Sequence, residues 1–194
     1  MFERDSVILV DMDGVLADFD KSLQEAWTNH PLVVQNGWLP WVHPEDVSGK
    51  ATRDNLRSMW GQEAADVYTD ISRQEGFYRE LEPITRAVEG MHLLDSLGYR
   101  VFICTAPSRH VLSCASEKIA WAGEHLGKEW IARTIITKDK TLVLGDYLID
   151  DKRQVSGIKS PVWMHVKFSS PTSPVGHTWE TIIESLSSPP SGVR

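Results

Sequence analysis

SVILVDMDG, residues 6–14, is an apolar run rich in β-branched residues that stops abruptly at two carboxylates and a glycine. A short, continuously apolar segment of this kind suits a strand buried on both faces of a parallel sheet. Four later segments have the same character: RVFICT at Arg100–Thr105, TIIT at Thr134–Thr137, Tyr147–Ile149 running into Asp150-Asp151, and VWMHV at Val162–Val166. Helical stretches lie between them. Pro83 opens one in which Ile84, Ala87, Val88, Met91 and Leu94 fall at helical spacing, with Gly98 as its stop. A second runs from about Arg109 to Leu126, and a last one presents Trp179, Ile182, Ile183 and Leu186. Strands alternating with helices predict an α/β fold, a doubly wound parallel sheet with helices on both faces.

The stretch between the first strand and Pro83 differs in texture. It is interrupted at His30-Pro31, Leu39-Pro40 and His43-Pro44, and it carries Trp27, Trp38, Trp41 and Trp60. Its helical pieces are expected at Phe19–Asn29 and Arg53–Ser72, joined by the Pro-rich connection. The expected organisation is a catalytic core of residues 1–14 and 82–194, with a small, mainly helical cap of residues 15–81 inserted after the first strand. Functional residues of open α/β sheets gather beyond the carboxyl ends of the strands, and the insertion leaves the core at that edge. Ser169–Pro174 (SSPTSP) reads as a loop, and Ser187–Arg194 (SSPPSGVR) as a frayed tail.

Composition narrows the classes. The 194 residues are 41% hydrophobic and 24% charged, which excludes disordered and collagen-like chains. Acidic residues number 27 against 20 Lys plus Arg, a formal net charge of −7. Such a chain has no global field for polymeric nucleic acid or an anionic membrane, and no apolar run approaches the roughly 20 residues of a membrane span. Cys104 and Cys114 form no disulfide framework and no zinc spacing, and Cys104 sits in an apolar strand as a small hydrophobe. The N-terminal residues carry no leader pattern, so the expected compartment is the cytoplasm.

Three of the strand ends carry polar groups of a consistent kind: Asp11 and Asp13, then Thr105, then Asp150 and Asp151. Taken singly, Asp-x-Asp-Gly is common turn chemistry, an Asp pair caps helices, and Lys140 in TKDKT is an ordinary solvated side chain. Their conjunction at successive strand ends is what points to chemistry. Four carboxylates repel one another unless a cation lies among them. Oxygen donors without His or Cys suit Mg²⁺, which keeps positions open for a substrate phosphate.

These strings carry a resemblance. VDMDGVLADF at Val10–Phe19, FICTAP at Phe102–Pro107 and DKTLVLGDYLIDD at Asp139–Asp151 resemble the motifs of the haloacid dehalogenase (HAD) superfamily of phosphotransferases. Together with GFYRELEPI at Gly76–Ile84 they look most like the 5'(3')-deoxyribonucleotidases. The resemblance implies a Rossmann-like core and a Mg²⁺-dependent phosphatase of deoxyribonucleoside 5'(3')-monophosphates, dUMP- or dTMP-like. Asp11 would be the nucleophile that forms an aspartyl-phosphate, and Asp13 the general acid and base. Mg²⁺ would be held by the Asp11 carboxylate, the Asp13 backbone carbonyl and Asp151, with Asp150 behind them orienting Lys140 or a metal-bound water. Thr105, the Ala106 amide and Lys140 would bind phosphate; Ala106 stands where these enzymes commonly have serine. Gly14 would let backbone N–H groups approach the phosphate. Phe19 matches a pocket phenylalanine and would stack on the base, whereas Ser72 is small where the family tends to have an aromatic ring.

Trp38, Trp41 and Trp60 read as core residues before pocket residues. Arg109 and His110 read as surface positions. A phosphatase of another small phosphomonoester and a non-catalytic nucleotide-binding protein are the alternatives. The second would be expected to lack one of Asp11, Asp13, Lys140 or Asp151, and all four are present. The expected partner is a small nucleotide. Oligomeric state does not follow from these residues, and a homodimer stays open.

Overall fold

The computed structural model describes residues 2–38, 52–169 and 175–187. The expected features at Leu39-Pro40, Trp41 and His43-Pro44 lie outside them, as does all but the first residue of both Ser169–Pro174 and Ser187–Arg194. Among the described residues five strands form one parallel sheet: β1 Val7–Val10, β2 Arg100–Thr105, β3 Thr134–Ile136, β4 Tyr147–Asp150 and β5 Met164–Lys167. Their spatial order is β3-β2-β1-β4-β5. The chain builds outward from β1 through β2 to β3, then returns to the other side of β1 with β4 and β5. The reversal puts a crevice at the carboxyl end of β1, where open α/β sheets bind ligands. Val10 is in register with Ile103 on one side and Ile149 on the other, so the residues that follow all three strands emerge together.

Alternation along β1 divides the core. Ile8 and Val10 join a large cluster with Val101, Ile103 and Ile149, covered by helices α5 (Ala87–Ser96), α6 (Cys114–His125) and α7 (Trp179–Ser187). Leu9 points to the opposite face with Cys104, Leu148 and Trp163. Cys104 is fully buried, and that burial pushes its thiol up to about 11. It behaves as the expected small hydrophobe.

Among the described residues, the segment after β1 supplies four helices: α1 Phe19–Thr28, α2 Pro31–Asn36, α3 Arg53–Trp60 and α4 Gln62–Arg73. They enclose a separate apolar cluster of Leu23, Trp27, Val33, Trp38, Leu56, Ala64, Val67 and Ile71. Trp27 and Trp38 stack with ring centroids 6.2 Å apart, so Trp38 is a core residue. The expected single helix Arg53–Ser72 is two, because Gly61 between them adopts φ +89° and turns the chain. The expected helix at Pro83 starts instead at Ala87. Pro83 is extended and pairs with Ala17, Ile84 N donates to Leu16 O, and Arg86 at φ +63° precedes the first turn. Likewise α6 starts at Cys114 rather than near Arg109, since Ser108 N donates to the Cys114 thiol across the intervening turn.

Candidate active site

Asp11 leaves β1 with its amide donating to Ile149 O at 2.9 Å, which fixes its backbone against β4. The next residues form a tight loop: Leu16 N and Ala17 N both donate to Met12 O, and Gly14 N donates to Ala17 O. Gly14 sits at φ +77°, a conformation that glycine adopts without strain. Its amide is therefore spent inside the loop. The glycine serves the backbone conformation of the loop, and its own amide closes that loop.

The loop and the ends of β2 and β4 build two charge clusters. In the first, Asp11 Oδ1 accepts from its neighbouring Met12 amide at 2.8 Å and from Lys140 Nζ at 2.7 Å. Lys140 Nζ also donates to Asp150 Oδ2 at 2.6 Å, and Asp150 Oδ1 accepts from Lys152 N at 2.8 Å. Lys140 occupies a short 3₁₀ turn, Lys140–Leu142, capped by the Asp139 carboxylate bonded to Thr141 N. Burial opposes the charge on Lys140, but the Asp11 and Asp150 carboxylates outweigh it and hold the ammonium above the ordinary lysine range.

The second cluster centres on Lys118, a residue absent from the expected set. Its side chain is fully buried, and Nζ donates to Asp13 Oδ2 at 2.6 Å, Thr105 Oγ1 at 2.9 Å and Ala106 O at 3.0 Å. The ring of Tyr78 lies 5.5 Å from the ammonium. A signal for Lys118 exists in the sequence: with Cys114, Trp121 and Ala122 it falls on the inward stripe of an amphipathic helix, where a lysine needs a partner.

Carboxylate oxygens of Asp11, Asp150 and Asp151 come within 4.8 Å of one another, and the group has the donor chemistry of a hard divalent cation. Both oxygens of Asp150 are committed, to Lys140 and to Lys152 N, so Asp150 is poorly placed to be a metal ligand and well placed to orient Lys140. Asp11 Oδ2 takes part in none of the bonds above. Lys140 pairs with Asp11 and Asp150, and Lys118 with Asp13.

Phe19 opens α1 and packs edge-on against Phe77 with centroids 5.5 Å apart, and near-parallel to Tyr78 at 6.0 Å. Ser72 donates its hydroxyl to Thr69 O. One helical turn earlier on α4 stands Tyr68, a partly buried ring packed against the helical cluster. Burial pushes its phenol up to about 12, and the charges of Asp20 and Asp13 act in the same direction. Arg109 and His110 are exposed.

The sequence matches the family model for 5' nucleotidase, deoxy (pyrimidine), cytosolic type C protein (NT5C) over residues 5–172. It is 38% identical over 164 residues to the human 5'(3')-deoxyribonucleotidase of cytosolic type, a match covering 84% of this chain and 79% of that one. With the mouse mitochondrial 5'(3')-deoxyribonucleotidase it shares 34% identity over 169 residues, covering 84% and 72%. In three dimensions it is similar to a HAD-type hydrolase of Bacillus subtilis bound to magnesium. The TM-score is 0.53 at 13% sequence identity, over 96% of this chain and 100% of that one, a likeness of fold. A parallel sheet ordered 3-2-1-4-5, with carboxylates at the ends of β1 and β4 and a family match running from β1 past β5, leads to one assignment: the chain belongs to the NT5C 5'-nucleotidase family.

Proposed function

We propose that this chain is a Mg²⁺-dependent phosphatase of deoxyribonucleoside monophosphates, dUMP- or dTMP-like, acting in the cytoplasm. The observation that carries the reading is the division of labour between the two aspartates of the β1 loop. Asp11 is held by Lys140 and the Met12 amide, whereas Asp13 keeps one buried oxygen, Oδ1, without any partner. An anchored carboxylate suits attack on phosphorus, and a carboxylate with an uncommitted oxygen suits proton transfer.

In the proposed reaction a carboxylate oxygen of Asp11 bonds to phosphorus as the bond from phosphorus to the sugar oxygen breaks. Asp13 gives its proton to that leaving oxygen. The same residue then takes a proton from water, which attacks the aspartyl-phosphate and restores Asp11. Lys140 and the Thr105 hydroxyl stabilise the charge on the phosphoryl oxygens. Asp11, Asp151 and the carbonyl of Asp13 would hold Mg²⁺, which when bound offsets the repulsion between Asp11 and a dianionic phosphate.

Residues 15–81 form the cap in this reading. Phe19 and Phe77 each pack against both the sheet cluster and the helical cluster, so an aromatic seam joins the two beside the catalytic loop. Phe19 and Tyr68 are the candidates to contact a nucleobase. Planar aromatic surface favours a base over a bare sugar phosphate.

The test is phosphate release with Mg²⁺ from matched deoxy- and ribonucleoside monophosphates, with Asp11→Asn as the blank. Faster turnover of dUMP or dTMP than of UMP is the expected result. Release from an aryl phosphate with none from any nucleotide would retain the chemistry and discard the substrate. Turnover by Asp11→Asn equal to wild type would remove Asp11 as the nucleophile.

A further inference from the structure

Lys118 has a stricter geometry than a simple ion pair requires. A lysine ammonium has three N–H donors and no acceptor. In the bonds to Asp13 Oδ2, Thr105 Oγ1 and Ala106 O all three are used, on three groups that belong to two different strand ends. The consequence for Thr105 is directional. Its oxygen must accept from Lys118, so its single O–H is left to donate elsewhere. A phosphoryl oxygen offers only acceptors, and the hydroxyl is thereby set to the polarity that phosphate needs.

The consequence for Asp13 is a choice between its oxygens. Oδ2 is taken by Lys118, and Oδ1 is buried with no partner. Exchange of the two by rotation would break the 2.6 Å bond to an ammonium that has no solvent to replace it. The helix that carries Lys118 is itself fixed. Glu117 accepts from Gly76 N and Tyr78 N, both at 3.1 Å, and the Trp121 indole donates to Leu81 O at 2.6 Å. The ammonium therefore sits on a support tied to the chain segment that returns from the helical insertion.

We propose that Lys118 is a positioning residue that commits Thr105 to donate to the phosphoryl group and reserves Asp13 Oδ1 for the proton. The proposal rests on the phosphatase reading and assigns a function to a side chain that would otherwise be an internal ion pair. It separates two steps that a structural role would not separate. Departure of nitrophenolate needs no proton, whereas departure of a sugar alkoxide does, and attack by water on the aspartyl-phosphate needs Asp13 as base.

Full-length Lys118→Met and Lys118→Gln are compared with wild type for kcat and KM on dUMP, for rapid-mix release of p-nitrophenolate from p-nitrophenyl phosphate, and for thermal midpoint, all with Mg²⁺. Lys118→Met is expected to lose about 100-fold in kcat on dUMP with KM changed by less than about threefold. On the aryl ester it is expected to give a burst approaching one nitrophenolate per enzyme, larger than that of wild type, followed by slow turnover. Lys118→Gln keeps two N–H donors and is expected to retain more activity than Lys118→Met. It also carries the test if the methionine variant does not fold. An equal loss on both substrates without a larger burst, or a loss that follows only the fraction of folded protein, would overturn the proposal. A wild type inert toward dUMP would refute the nucleotide reading, and the burst comparison would still decide the role of Lys118.

Discussion

At the scale of single residues, the site turns on how many partners each buried charge keeps. Asp150 is wholly buried and holds Lys140 with one oxygen and Lys152 N with the other. In Asp150→Asn the new NH₂ must face one of those two donors. Removing one member of a buried pair costs about 3–5 kcal/mol, and Lys140 still has Asp11, so a loss of about 3 kcal/mol is expected in urea unfolding. An unchanged midpoint would mean that Lys140 is satisfied by Asp11 alone. Phe19 makes a different kind of contribution, since its ring touches both apolar clusters and its predicted role is to stack on a base. Phe19→Ala is expected to raise KM for dTMP about 5- to 30-fold, the equivalent of roughly 1–2 kcal/mol of stacking, with a smaller change in kcat. An unchanged KM would remove Phe19 from the pocket. The acidic residues were legible because Asp11, Asp13, Asp150 and Asp151 recur at the ends of successive apolar strands, a conjunction that turn and cap chemistry does not require. Lys118 left a weaker trace, its place on the inward stripe with Cys114, Trp121 and Ala122, which names no partner until the strand ends are known.

At the scale of elements, helix faces record contacts that propensity alone misjudges. Gly90 lies inside α5, where alanine is favoured over glycine by about 1 kcal/mol. A Cβ added there would come within 2.2 Å of Trp179 Cε3, and Trp179 is itself fixed by its indole donating to Val15 O at 2.8 Å. Overpacking of this kind costs about 1–3 kcal/mol, so Gly90→Ala is expected to lower the thermal midpoint. A higher midpoint would show that Trp179 moves freely. On α6 the carboxyl of Glu117 is opposed by its burial, yet the Ser113 hydroxyl and the amides of Gly76, Tyr78 and Arg79 together hold it below its usual 4.5. Because its folded value is depressed, the stability it supplies is complete above that unfolded value and disappears as the pH falls through the lower folded one. Glu117→Gln is expected to be about 1–3 kcal/mol less stable than wild type at neutral pH, with the gap closing under acid. A gap that stays the same size however far the pH is lowered would assign the effect to packing. The same elements show which boundaries a sequence carries. Strand β2 and helix α1 were legible to within a residue because apolar pattern and flanking residues agree. The starts of α5 and α6 were not, since Pro83 and Ser108 are held by contacts with the β1 loop and with the Cys114 thiol.

At the scale of the molecule, the order β3-β2-β1-β4-β5 makes one crevice the meeting point of segments from both ends of the sheet. Asp11 comes from the first strand and Asp151 follows the fourth, so a cation between them ties the halves of the sheet together. The alternation of strands and helices made the sheet legible, while the pairing of β4 beside β1 could only be expected from the carboxylates at their ends. Binding to the folded chain alone stabilises it by mass action, about 2.7 kcal/mol when the ligand stands at a hundred times its dissociation constant. For a chain of this size each kcal/mol moves the midpoint by about 2–4 °C, so saturating Mg²⁺ is expected to raise it by roughly 5–10 °C over protein in chelator. Asp151→Asn removes a proposed ligand without touching the bonds of Asp11 to Lys140 and Met12 N, and is expected to lose most of that rise, measured against its own midpoint in chelator. Scanning calorimetry on both proteins, with and without Mg²⁺, separates the cases. A rise of equal size in the variant would place the cation away from the crevice. A wild type indifferent to Mg²⁺ would mean that the crevice does not hold this cation.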